Sequence, residues 1–318
     1  MPIPGVRCIQ AWGKRLLLVV LLAILAACAS NPNQSNNLRA ACPDPSSSLL
    51  WRVTGNNSDV YLFGTLHLGR PYFYPLPPRI ERAFRRADFL VFEADPNALQ
   101  TPQFAADLLL QASLPPGERL QDQLSPATYT HLLATLTAQG LPAQQYLQFR
   151  TWYLSLLLAN QQMFAYGYEP QYGVETYLHA NKSDGTRVLA LESVDEQLQS
   201  MTALEGEDYL VYTLNSMNEG KSTLDQLSAA WLCADKAVLR QMLVASLDEN
   251  FVNTQNKTVK NNLLVDRNKQ MADTIRTFIE SGSGNYFVAI GTAHFLGEDN
   301  VLELLNEAGY EVKAITLK

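Results

Sequence analysis

Four short stretches of this chain, residues 60–63, 89–92, 188–191 and 286–290, are apolar at every position. A strand with one face in water alternates apolar and polar side chains, whereas a strand covered on both faces does not. The stretches therefore predict a largely parallel sheet covered by helices. Residues 49–54 precede the first stretch across the turn cluster Gly55-Asn56-Asn57-Ser58 and read with it as a hairpin, and residues 311–316 form a sixth strand candidate. Helical patterns fill 80–87 and 298–308, the latter stopped by Gly309. Residues 101–181 change character and read as a large helical insertion, with Ser125-Pro126 and Leu141-Pro142 marking helix starts. A second helical block covers 194–279, interrupted near Gly220 and between 250 and 257. The expected class is α/β: a mixed, largely parallel central sheet flanked by helices.

Each apolar stretch ends in residues capable of chemistry. The first leads to Gly64-Thr65-Leu66-His67, the second to Glu93 and Asp95, the third to Glu192, and the fourth to Gly291-Thr292-Ala293-His294. The repeated Gly-Thr-x-His tetrad takes up two of the four histidines in the chain. Two strand-to-helix turns with histidine as a polar cap would give the same tetrads. In open α/β sheets, however, ligands bind at the carboxyl ends of the strands. His67, His294 and Glu93 are therefore candidate metal ligands, with Glu192 a weaker fourth. Neutral imidazoles with a carboxylate suit a divalent ion such as Zn, Mn, Co or Fe, and an open coordination position would activate water. Glycine three residues before each histidine would let the backbone turn sharply or approach a ligand closely.

The first residues bear on the compartment. Arg7, Lys14 and Arg15 precede an unbroken apolar stretch over 16–27, and no acidic residue occurs before Asp44. A basic start and an apolar run too short to span a bilayer comfortably mark a secretory signal. Leu25-Ala26-Ala27-Cys28 resembles the lipobox of bacterial lipoproteins, whose cysteine is lipidated; an ordinary cleaved signal with a chance cysteine is the alternative. Ala29 and Ser30, by analogy with lipoprotein sorting, favour the outer membrane. Residues 1–27 are thus read as a lipoprotein signal peptide, 28–47 as a tether and 48–318 as the folded domain. The tether's Asn, Gln, Ser and Pro content cannot build a core. The expected location is the bacterial cell envelope, anchored by lipid and facing the periplasm.

Loss of residues 1–27 removes three positive charges and no negative ones, moving the formal charge from −7 to −10. With no basic stripe to neutralise phosphates, a nucleic-acid partner is not expected. Once Cys8 is removed and Cys28 lipidated, Cys42 and Cys233 remain as an even pair in an oxidising compartment. They are either a disulfide or two separate thiols.

Several of these segments carry a family resemblance. Leu49-Leu50-Trp51-Arg52-Val53-Thr54, residues 62–69, Leu90-Val91-Phe92-Glu93, Tyr172-Gly173-Val174-Glu175, Leu191-Glu192-Ser193, Asp266-Arg267-Asn268 and residues 289–297 resemble the TraB/GumN family. That family includes the animal Tiki metalloproteases and shares an α/β fold with ChaN-like and erythromycin-esterase-like proteins. The resemblance covers roughly 48–318. It implies a metal-dependent, hydrolase-like site with His67, Glu93 and His294 as ligands and Arg267 and Asn268 as partners. The Arg267 guanidinium would stabilise an oxyanion, and Glu175 or Glu192 would serve as general base. Two departures stand out: Glu175 occupies a position where relatives commonly carry aspartate, and Lys269 occupies a usually aromatic one. Glu175 and His179 lie four apart on a helical pattern, as an ordinary surface pair does, and His179 and His131 are left outside the site.

The expected function is metal-dependent, peptidase-like hydrolysis of a peptide or small-molecule substrate. The alternatives are a non-catalytic periplasmic lipoprotein that binds haem, metal or a peptide signal, and a scaffold that has kept the fold without the activity.

Overall fold

A computed structural model describes residues 37–217, 220–245, 247, 259–280 and 282–317. The signal peptide and lipobox, with Cys28, lie outside the described residues, and so does the expected break over 250–257. Six strands form one sheet: β1 (Leu50–Thr54), β2 (Ser58–Thr65), β3 (Phe89–Phe92), β4 (Arg187–Ala190), β5 (Gly284–Gly291) and β6 (Lys313–Ala314). Their spatial order is β4-β3-β5-β2-β1-β6. Strands β4, β3, β5 and β2 are mutually parallel, while β1 pairs antiparallel with β2 and β6. The sheet is thus mixed and largely parallel, as the unbroken apolar stretches require. Leu62, Phe63, Leu90, Val91 and Phe287 through Ile290 are all buried.

Helix α1 (Pro78–Arg85) lies between β2 and β3. Its buried Ile80, Ala83 and Phe84 recur at helical spacing and face the sheet. Between β3 and β4 come α2 (Pro102–Ala112), α3 (Pro126–Ala138), α4 (Thr151–Ala165) and α5 (Val174–Asn181). Between β4 and β5 come α6 (Val194–Thr202), α7 (Glu207–Ser216), α8 (Gly220–Leu232) and α9 (Asp266–Glu280), and α10 (Val301–Glu307) precedes β6. The pairs Leu132/Leu136, Leu154/Leu158 and Leu210/Leu214, each four residues apart, bring α3, α4 and α7 into a second, smaller core. Helix α7, from beyond β4, thereby packs with the inserted helices. Among the described residues no helix is long and apolar enough to cross a membrane.

Two elements differ from expectation. The expected strand over 311–316 shrinks to the two exposed residues of β6, because it meets only β1 at the rim of the sheet. The expected helix over 298–308 begins at Val301, where the Asn300 side chain accepts from the Leu302 and Glu303 N–H groups and caps it.

Cys42 and Cys233 form a disulfide across 191 residues. It ties the segment before β1 to the end of α8. Closing so long a loop restrains the unfolded chain, so Cys42→Ser is expected to cost about 2–5 kcal/mol. A urea unfolding curve reads this directly; an unshifted midpoint would mean that the neighbouring contacts hold the segment by themselves.

Candidate metal centre

Strand β5 is the last of the parallel four in sequence, yet it lies between β3 and β2. Register sets Thr65 beside Gly291 and Phe92 beside Ala289. The residues after these strands consequently emerge side by side at one edge. His67 sits in a bend after β2, Glu93 directly after β3, and His294 in the single 3-10 turn Thr292–Phe295 after β5. A side-chain carbon placed at Gly291 would lie 3.0 Å from Glu93 Oε1, 3.6 Å from His67 Nε2 and 3.7 Å from His294 Cδ2. The three side chains therefore surround one point.

The threonines of the two tetrads knit this edge together. Thr292 Oγ1 donates to the Thr65 carbonyl at 2.8 Å, and the Thr65 hydroxyl donates to Glu175. Gly64 is not the turn that the tetrad suggests. Strand β2 runs through it, and a Cβ there would stand 3.0 Å from Thr292 Oγ1 and 3.4 Å from Leu49 Cβ. Glycine at 64 leaves room for the second tetrad.

Each histidine is held through Nδ1. Asn268 Nδ2 donates to the Asp299 carbonyl at 2.9 Å, so its Oδ1 is an acceptor, and it lies 2.7 Å from His294 Nδ1. This network assigns the His294 proton to Nδ1 and the lone pair to Nε2. Burial pushes His294 down to about 4, leaving it neutral at pH 7. Its Nε2 faces Glu93 Oε1 at 3.6 Å. Two acceptors facing each other repel, and a cation between them turns that repulsion into attraction. His67 Nδ1 stands 3.0 Å from Glu175 Oε1, which likewise turns Nε2 toward the shared point. The Glu175 carboxylate raises the proton affinity of His67. Solvent weakens this pull, because the His67 side chain is 66% exposed.

Glu93 is gripped on both oxygens. Oε1 accepts the Gly291 N–H at 2.6 Å, and Oε2 accepts from Arg267 Nη2 at 2.7 Å and Gln197 Nε2 at 3.4 Å. Burial opposes its ionisation, while the charges of His67 and Arg267 and the Gly291 amide favour it, and Glu93 is held below the usual carboxylate range. Arg267 also donates to both oxygens of Glu192, at 2.9 and 2.6 Å, and through Nη1 to the Leu263 carbonyl at 3.1 Å. Among the described residues, one of its five N–H groups, on Nη1, is left without an acceptor. Burial works against the Arg267 charge, and Glu192 and Glu93 more than restore it. Burial also pushes Glu192 up, against the pull of Arg267.

Glu175 reaches the site from the first turn of α5. The Val174 N–H donates to the Leu66 carbonyl at 2.9 Å, pressing α5 onto the first tetrad. A Cβ at Gly173 would lie 2.1 Å from the His67 carbonyl oxygen. Gly173→Ala is therefore expected to cost about 1–3 kcal/mol through overpacking and to displace His67. Thermal unfolding checks this, and an unchanged melting point would contradict it. Glu175 Oε2 is buried and, among the described residues, has no hydrogen-bond partner.

Sequence reasoning missed Gln197 beside Glu93 and the role of Thr65 beneath Glu175; the repeated threonine was the available signal for the latter. His179 lies outside the group, its ring 6.2 Å from that of Phe92, His131 sits on α3, and Lys269 is exposed. Among the described residues no group of three or more His, Cys, Asp or Glu is arranged to hold a metal ion as it stands. The side chains meet around one point without closing on it.

The chain is 26% identical to the uncharacterized protein YbaP of Escherichia coli K12 over 252 residues, covering 78% of this chain and 88% of YbaP. It is 24% identical to metalloprotease TIKI1 of Danio rerio, covering 95% of this chain and 70% of that protein. With human metalloprotease TIKI1 the identity is 24%, covering 84% of this chain and 61% of the relative. No solved structure matches the chain. The model of the TraB/PrgY/gumN family matches residues 49–314, a span that contains both tetrads, Glu93, Glu175, Glu192, Arg267 and Asn268, and the chain belongs to that family.

Proposed function

We propose that this protein is a metal-dependent hydrolase of peptide bonds in the cell envelope, anchored by lipid at Cys28. His67, Glu93 and His294 would hold the ion. The donor set fits one: two imidazoles with Nδ1 engaged and Nε2 turned inward, beside an ionised carboxylate, suit Zn, Mn, Co or Fe. When bound, such an ion supplies Lewis acidity and makes water nucleophilic at neutral pH. The observation that carries this reading is the Asn268–His294 contact, because it presents the His294 lone pair to Glu93.

The protein's own groups supply the remaining steps. Glu175 Oε2, a buried acceptor with no donor among the described residues, would serve as the base that accepts a proton from water. Both oxygens of Glu192 are engaged by Arg267, so the base role falls to Glu175. Arg267 fixes Glu93, and its remaining N–H is the donor available to a developing oxyanion. The Tiki relatives, whose names describe metalloproteases, support the reaction class.

Two variants test the assignment. Asn268→Ala is expected to weaken metal binding by about 10–100-fold, the usual effect of losing a ligand's supporting partner. Glu175→Gln is expected to retain metal and lose about 100-fold or more in hydrolysis. Hydrolysis that survives chelation, or metal affinity untouched in Asn268→Ala, would overturn the proposal. Retention of metal without cleavage of any peptide would favour a binding protein.

A further inference from the structure

The segment before β1 joins the domain at the same edge as the candidate site. Because β1 runs antiparallel to β2, its first residues stand beside the last of β2: Leu50 pairs with Phe63, and the Gly64 N–H donates to the Leu49 carbonyl at 2.9 Å. Three links fasten the segment to the end of α8. Arg39 Nη1 donates to the Leu232 carbonyl at 3.0 Å, Cys42 is bonded to Cys233, and the Ser47 hydroxyl donates to the Ala234 carbonyl at 3.3 Å. Helix α8 in turn places Trp231 Nε1 3.0 Å from the carbonyl of Gly64, the first residue of the tetrad that ends in His67.

These links shorten the leash. Fully extended, the chain from Cys28 to Leu49 reaches about 70 Å, whereas from Cys28 to Asn37 it reaches about 30 Å. The Asn56-Asn57 turn lies at the opposite end of β2, about 26 Å away along the strand.

We infer that the anchor keeps the carboxyl edge of the sheet toward the membrane, and that the substrates are polypeptide segments displayed at the lipid surface. The inference rests on the envelope-hydrolase reading and on lipid at Cys28. A short leash fixed to the site edge matters little for a peptide free in solution. For a peptide on the same surface, it raises the local concentration of substrate at the site.

The test uses the full, lipidated chain in phosphatidylethanolamine and phosphatidylglycerol vesicles that carry a headgroup nitroxide quencher. A fluorophore is attached at Glu298→Cys, exposed just past His294, or at Asn56→Cys, exposed at the opposite edge. Stronger quenching at position 298 than at 56 is expected. A peptide displayed on the vesicles through a lipid should be cut about 100-fold faster than the same peptide in solution, the scale of gain that effective concentration provides. Inserting a long Gly/Ser stretch after Asn36 should level the quenching and reduce that advantage while leaving the solution rate unchanged. Equal or stronger quenching at 56, or no preference for the displayed peptide, overturns the inference. Failure of the chain to float with vesicles overturns it through the anchor. The predicted quenching order without cleavage of either peptide instead refutes the hydrolase reading, and with it the assigned substrate.

Discussion

Arg267→Met is expected to destabilise the folded protein by about 3–5 kcal/mol at pH 7, the usual cost of stranding the partners of a buried ion pair. Among the described residues, Arg267 alone bridges Glu93 and Glu192, and both carboxylates are buried. Without the guanidinium, two like charges face each other in a poorly solvated place, and the folded state then binds a proton more tightly than the unfolded chain does. A carboxylate whose folded pKa lies above its unfolded value costs stability at high pH, and the cost fades as pH falls through the raised folded value. The gap between variant and wild type should therefore narrow toward about pH 4–5, near the ordinary range of glutamate. Urea unfolding at several pH values checks both size and direction. A gap that stays constant with pH would show that Arg267 acts by packing alone.

His294→Ala should weaken metal binding by more than the 10–100-fold that loss of a supporting partner costs, with hydrolysis lost alongside it. The reason is specific to the site. His294 is neutral and buried, and Asn268 gives its Nε2 one orientation. His67 is the more exposed imidazole, so His67→Ala is expected to remove metal with the smaller effect on folding. Isothermal titration with Zn²⁺ or Mn²⁺ on the full chain, beside circular dichroism, separates the two effects. Wild-type affinity in His294→Ala would remove it from the ligand set.

Much of this site is legible in the amino-acid sequence alone. The stretch 89–92 is apolar without interruption, and it forms β3 with those bounds, because a strand buried on both faces has no polar position to blur its pattern. Glu93, directly after it, stands out as a strand-end carboxylate for the same reason. The rim is less legible: β6 has one neighbouring strand and little burial, so its composition records little of its two-residue pairing. The start of α10 is obscured because Glu298 and Asp299 look like helix-start acids, whereas the cap is the Asn300 side chain. Least legible is strand order. Nothing local in residues 284–291 says that β5 inserts between β3 and β2, yet that insertion sets His294 between His67 and Glu93. The glycine of the first tetrad misleads for a related reason: its neighbour is Thr292, far away in sequence, and close packing between distant segments leaves no local pattern.

The metal content of the purified full chain, wild type beside His67→Ala and His294→Ala, tests the central claim most directly. If His67, Glu93 and His294 share one ion, wild type carries about one equivalent of a transition metal and each single variant loses it, as expected for a common coordination site. A wild type without divalent metal, or variants that keep the full complement, would contradict the shared centre.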